Sequence, residues 1–350
     1  MRLFIVLILI FSIFSSGVAF GDDYFNPSQS RDGSSYSASD WYELGNDYYD
    51  SGDYESAIQC YQQALGIDLL MEDAWYYQGM SFFDLDMYTE ASTCFYQAIN
   101  IDLYDSWNWY MEGRALQELG LDETAVQCFY AALLLDSSME DAWYYQGISL
   151  FDLGMYQDAA DDFYQAINID GLDEWNWYME GRSLQEMGND ELALQCFYQA
   201  IELNSYVEDF WYYKGVSYFA LAMYSDAEIC FMQAIDLDPE DGTNWYAEGL
   251  ALQMLNRDDD AEIAFNTAEY LGVDVSAYSG QISLKSSYES TNGSNEGDVA
   301  EPEDLGFSLP DLPSDVSSGE VKRHYITGSG SESGKSGGND TEDKTRHYIT

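Results

Sequence analysis

Apolar and polar positions along this chain recur at a fixed interval of 34 residues. Within one interval, Trp75, Gln78, Gly79 and Phe82 share one helical face, and Ala91, Cys94, Phe95, Ala98 and Ile99 share another. Between these stripes, eleven residues after the first Trp of each copy, stand Gly52, Asp86, Gly120, Gly154, Gly188, Ala222 and Asn256. Most of these tolerate the left-handed backbone that ends a helix. Each interval is therefore predicted to be a helix, a tight turn and a second helix. A period of this length implies a solenoid of stacked units, each burying its apolar face against the next.

The recurrence is strict. A Trp-Tyr pair stands at 41, 75, 109, 143, 177, 211 and 245, and four residues after each Trp comes a Gly, from Gly45 to Gly249. Sixteen and twenty-three residues on is Ala, and twenty on is an aromatic ring, from Tyr61 to Phe265. Small residues at these offsets let paired helices approach closely while the Trp and Phe side chains fill the gaps. Trp-x-x-Leu-Gly-x-x-Tyr at 41–48, followed by Ala57, Tyr61 and Ala64, resembles the tetratricopeptide repeat. The resemblance covers residues 38–272 in seven copies and implies an all-α right-handed solenoid of helical hairpins. The family's Pro near the end of the unit survives only as Pro239, which is expected to loosen the turns between repeats.

Copies alternate, as if a double unit had been duplicated. Trp75-Tyr76-Tyr77-Gln78-Gly79 returns at 143 and, with Lys214 for Gln, at 211, while Trp109-Tyr110-Met111-Glu112-Gly113-Arg114 returns at 177. In the last copy Glu262, Asn266 and Glu269 replace mostly apolar or aromatic residues, as expected for a terminal helix with no successor.

The resemblance also implies that one side of each first helix lines a concave groove where extended peptides bind. Its position after the Trp is Tyr in every copy: Tyr42, Tyr76, Tyr110, Tyr144, Tyr178, Tyr212 and Tyr246. The same side carries Phe83, Phe151 and Phe219, then Trp107 and Trp175, and the acids Asp84 and Asp152. Asp73, Asp141 and Asp209 take the Trp107 position in alternate copies, and Glu118 and Glu186 the Asp84 position. The expectation is an aromatic groove with acidic edges. Rigid phenol faces bind at low entropic cost, although the Tyr ladder could equally be packing inherited by duplication. Arg114 and Arg182 each have a Glu four residues on and are expected to form internal ion pairs. The family's cluster of Lys, Arg and Asn that clamps a terminal carboxylate is missing.

Charge narrows the partners. The formal net charge of -52, from 64 acidic and 12 basic residues, opposes nucleic acid and anionic membrane surfaces. A cationic protein segment fits better. The cysteines Cys60, Cys94, Cys128, Cys196 and Cys230 share one position in the unit. Packed helix axes lie about 8–10 Å apart, too far for disulfides between equivalent positions, so they are read as small apolar residues at the core edge. With both histidines outside the repeats, at His324 and His347, and no Gly-rich phosphate loop, no catalytic site, metal or cofactor is expected. Asp236–Asp241 and Asp258–Asp260 lack the spacing of a calcium loop and are read as solvated charge.

Outside the repeats, Met1–Gly21 has an Arg, an apolar run from Leu3 to Phe14 and small residues before Asp22, the pattern of a cleaved secretory signal. An uncleaved anchor is the alternative reading of the same run. Export to the cell surface or medium follows, with no membrane insertion after cleavage. Residues 22–37 read as a linker, and 273–350 as an acidic Ser/Gly-rich tail without a fixed fold. Arg-His-Tyr-Ile-Thr occurs twice in that tail, at Arg323–Thr327 and Arg346–Thr350. It is cationic and aromatic, and is either a chance duplication or an element for self-association through the acidic groove. The sequence as a whole points to a scaffold for an extended cationic peptide. A carbohydrate binder and a self-assembling structural protein are the alternatives.

Overall fold

A computed structural model describes residues 36–275. The signal segment, nearly all of the linker, and the tail with both Arg-His-Tyr-Ile-Thr copies lie outside the described residues. The described residues form seven helical pairs and no strands. The first helices are α1 Ala38–Asp50, α3 Glu72–Phe83, α5 Ser106–Glu118, α7 Glu140–Asp152, α9 Glu174–Glu186, α11 Glu208–Ala220 and α13 Gly242–Met254. Their partners are α2 Tyr54–Ile67, α4 Tyr88–Ile101, α6 Asp122–Leu135, α8 Tyr156–Ile169, α10 Asp190–Leu203, α12 Tyr224–Leu237 and α14 Asp258–Tyr270. This is the expected all-α solenoid.

Each hairpin turns at the residue the spacing singled out. Gly52, Gly120, Gly154 and Gly188 take φ of 70–80°, and Asp86, Ala222 and Asn256 take 57–58°. At the third turn Gly120 N–H bonds the Gln117 carbonyl at 2.8 Å and Leu121 N–H the Leu116 carbonyl at 3.0 Å. That bond pair satisfies carbonyls at the end of α5 while reversing the chain. Inside the hairpin, the Gly four residues after each Trp lies under the ring of the second helix. A Cβ on Gly79 would meet Phe95 at 2.7 Å, and one on Gly215 would meet Phe231 at 2.6 Å. No other residue allows that approach, and Phe95, Phe129, Phe163, Phe197 and Phe231 are fully buried as a result.

The turns between repeats are held without the family's Pro. The indole N–H of Trp75, Trp109, Trp143, Trp177, Trp211 and Trp245 donates to the carbonyl six residues earlier, at 3.0–3.1 Å. An acid at the loop's start adds a second tie, as Asp102 Oδ1 accepts from Tyr104 N at 2.9 Å. Asn108 and Asn176, both fully buried, further donate to Glu72 and Glu140 of the preceding repeats.

First helices of successive repeats touch one another, whereas second helices do not, so the first helices line the inner side of the array. All five cysteines are free and buried. Asp162 takes their place in the fourth repeat and is half-buried. On α14, Glu262, Asn266 and Glu269 are exposed.

Candidate functional site

The inner face is built from the first helices, and the tyrosines after each Trp do not lie along it as an open ladder. Each packs against the aromatic ring of its own hairpin, twenty residues after the Trp, with centroids 5.6–6.2 Å apart. Tyr76, Tyr110, Tyr178 and Tyr212 are buried, and Tyr42, Tyr144 and Tyr246 are half-buried. Their recurrence is a consequence of hairpin packing: the ring covers the Gly–Phe contact from the inner side. Four of the seven are beyond the reach of a visiting chain.

What a visitor meets lies on either side of those rings. Trp107 is half-buried, 5.7 Å from Tyr110. Trp175 is 40% exposed and rests 5.6 Å from Tyr178 and 5.2 Å from Phe210. Phe83, Phe151 and Phe219 are half-buried, each 5.2 Å from the Tyr that opens the second helix, Tyr88, Tyr156 and Tyr224. Asp73, Asp141, Asp84 and Asp152 reach solvent. Asp84 accepts from Tyr49 Oη at 2.7 Å. Although its tip is exposed, Asp152 is crowded by its surroundings and by Asp122, which push its carboxyl up to about 6. Burial also raises Asp141, and the Arg114 charge offsets part of that rise.

The middle of the face is closed by two guanidinium stacks. Arg114 lies 3.6 Å from the centroid of Tyr145 in the next repeat and 5.6 Å from that of Phe83 in the previous one. Arg182 repeats this on Tyr213 at 3.7 Å and Phe151 at 5.5 Å. Each also donates to the Tyr one turn before it, Tyr110 or Tyr178, at 3.3 and 3.1 Å. The expected pairs with Glu118 and Glu186 are present but long, at 3.8 and 3.9 Å. A cation on a phenol face gains more than an exposed ion pair, so the aromatic stack is the principal contact and the carboxylate the secondary one. Gln117 and Gln185 complete the seam by donating to Ser149 and Ser217 at 3.0 and 2.8 Å.

Tyr145 and Tyr213 were not among the expected site residues. Their signal was available: Arg at one position of a copy alternates with Tyr two residues after the Trp of the next. Behind the face, Glu112 is buried and accepts from Ser92 Oγ at 2.9 Å, and burial pushes its carboxyl up to about 8. Glu180, the equivalent in the fifth repeat, is pushed up to about 7 for the same reason. Among the described residues no helix is long and apolar enough to cross a membrane.

Comparison with known proteins agrees with this architecture. Tetratricopeptide repeat profiles match residues 38–68, 110–171, 176–206 and 208–241. No curated protein matches the chain. Among solved structures, the C-terminal part of a TPR repeat-containing protein from Cytophaga hutchinsonii is 16% identical. That match covers 68% of this chain and 98% of that one, with a TM-score of 0.57. A tetratricopeptide repeat protein from Parabacteroides merdae is also 16% identical, covering 69% and 95%, with a TM-score of 0.52. YrrB, described as a TPR protein with an unusual peptide-binding site, is 24% identical over 53% and 95%, with a TM-score of 0.48. With seven gapless hairpins, the Gly–aromatic contact in each and four profile matches spread along them, the chain belongs to the tetratricopeptide repeat family.

Proposed function

We propose that this protein is an exported, non-enzymatic scaffold whose inner face binds an extended, cationic peptide segment of another protein. Tetratricopeptide repeats serve protein–protein interaction, and the finer reading comes from the charge of this particular face. The described residues contain four basic side chains, and each is engaged internally. Arg114 and Arg182 are stacked on tyrosines, Lys214 lies over the rings of Tyr198 and Trp211, and Arg257 pairs with Glu228 and Asp260. With those cations so engaged, the exposed acids Asp73, Asp84 and Asp152 have no ion pair among the described residues. That imbalance is the observation that carries the proposal, with the exposed indole of Trp175 as an adjoining apolar contact. Export rests on the composition of Met1–Gly21.

The test is binding of labelled basic peptides to the full chain by fluorescence anisotropy. Arg-His-Tyr-Ile-Thr is one such probe, because the chain carries that segment twice and a second copy could present it. Binding is expected at low ionic strength and should weaken steeply as salt screens the pairs, with a Debye length of about 8 Å at physiological salt. Replacing the peptide's basic residues with Gln should abolish it. Equal binding of the Gln peptide, or salt-insensitive binding of polysaccharide in its place, would refute the proposal. Recovery of the chain, shortened at its amino end, from the medium or envelope fraction tests export.

A further inference from the structure

The edge of the solenoid where one repeat passes to the next carries about half of the large apolar side chains left exposed among the described residues. At each of these loops an Asp or Asn side-chain oxygen accepts from the amide two residues on, at 2.9–3.1 Å, and holds that residue outward. The residues so held are, in chain order, Leu70, Tyr104, Ser138, Leu172, Tyr206 and Glu240. The Leu and Tyr tips are 71–85% exposed. Ser138 and Glu240 adopt the same turn, so the turn itself does not call for an apolar residue. The indole N–H of the Trp that follows each loop donates to the carbonyl just before the tip, which fixes the tip in advance of any contact. Large apolar side chains in a row on loops held this way mark a surface for a partner.

We infer that this edge is the interface of a homodimer, in which two copies of the chain meet edge to edge across a two-fold axis at Ser138. The order of the tips carries the choice of partner. From the first loop to the fifth it reads Leu, Tyr, Ser, Leu, Tyr, and run backwards against a second copy it sets every Leu opposite a Tyr. Leu70 meets Tyr206 of the second copy, Tyr104 meets its Leu172, and the small Ser138 meets its own counterpart on the axis. Glu240 falls beyond the last pair and stays in water. Both copies use the same patch, as a two-fold interface requires. Curvature is no obstacle, because the edge of a regular solenoid follows a helical line, and a two-fold axis perpendicular to the superhelix carries that line onto itself in reverse. Asp102 and Asp105 then face Asp170 and Asp173 of the second copy, so charge opposes the pairing and screening favours it. The dimer therefore tightens with salt, the reverse of cationic-peptide binding on the inner face, and it does not depend on that binding.

The experiment is sedimentation equilibrium of the full chain over a range of protein concentrations, at low salt and in about 1 M NaCl, where the Debye length is about 3 Å. A monomer–dimer equilibrium that strengthens with salt is expected. Leu172→Glu should weaken it about tenfold or more, because a buried Leu is lost at two symmetric places. Leu172 is exposed within one copy, so its replacement leaves the fold intact. The position of the axis is read by disulfide trapping. Ser138→Cys should give a cross-linked dimer on mild oxidation in high salt, since a disulfide requires Cα atoms about 4.4–6.8 Å apart. Ser205→Cys, equally exposed, faces the first loop of the second copy and should not cross-link. The five native cysteines are buried, which keeps the background low. A chain that stays monomeric in high salt, a dimer indifferent to Leu172→Glu, or equal trapping of the two Cys variants would overturn the inference.

Discussion

The joint between the second and third repeats and the joint between the third and fourth share one backbone geometry and differ in chemistry. In the first, Glu112 is buried with Ser92 Oγ as its donor, and no cation neutralises it. In the second, Arg114 stacks on Tyr145 of the fourth repeat while its other side reaches back to Phe83 of the second, and Gln117 ties α5 to Ser149. At the fourth-to-fifth and fifth-to-sixth joints Glu180 and Arg182 hold the places of Glu112 and Arg114, although Ala160 stands where Ser92 does and the donor to Glu180 is Cys196 Sγ of its own hairpin. In a solenoid each unit leans only on its neighbours, so each joint responds to its own conditions. One kind is sensitive to pH, and the other depends on a cation held against aromatic rings.

The largest expected effect is on the carboxylate joints. Burial raises Glu112 to about 8 and Glu180 to about 7, against an ordinary value of 4.5. The folded array holds these protons more tightly than the unfolded chain does. Their stabilisation is therefore complete below about pH 4.5 and is lost as pH rises through 7 to 8. The loss should be on the order of a few kcal/mol across that window. Glu112→Gln should flatten the profile in urea titrations between pH 5 and pH 8.5; an unchanged slope would show that this carboxyl does not titrate there. Rising self-repulsion acts in the same direction for both proteins, so the difference between them isolates the buried acid.

A smaller effect is expected at the stacked joints. Arg182→Ala should cost about 2 kcal/mol, because a desolvated cation–ring contact and a hydrogen bond to Tyr178 are lost together. Arg114→Ala should cost less, since the Arg114 side chain is 18% exposed and that of Arg182 only 3%. Thermal unfolding of the two variants side by side would reverse the assignment if Arg114 proved the more costly. The smallest effect concerns the turns that both joints share. Ala222 holds a φ of 57° where other copies have Gly. Ala222→Gly should therefore be neutral to stabilising by about 0.5 kcal/mol, and Gly188→Ala destabilising by about 1 kcal/mol.

Much of this was legible in the residues. The 34-residue interval gave the helical pairs, the residue at each turn gave the left-handed bend, and the Gly–aromatic pairing gave the close approach inside each hairpin. These are local matters, decided by which side chains a backbone conformation permits, and the chain states them seven times. On the inner face the sequence left the Tyr ladder open between a groove lining and hairpin packing, and the structure buries four of its rings. Tyr76, Tyr110, Tyr178 and Tyr212 share a helical side with Asp84 and Trp175, and periodicity assigns a side without assigning a depth.

Sequence alone therefore determined the hairpin, its turn, its repetition and the acidic character of what it displays, because each depends on residues within one interval. Only the tertiary structure decided which of those groups remain open. Whether a Tyr is covered, or an Arg spends its charge on the next repeat's ring, depends on how one hairpin seats against another. That seating buried the tyrosines, enclosed Arg114 and Arg182, and left Asp84 and Asp152 facing outward without a counter-charge.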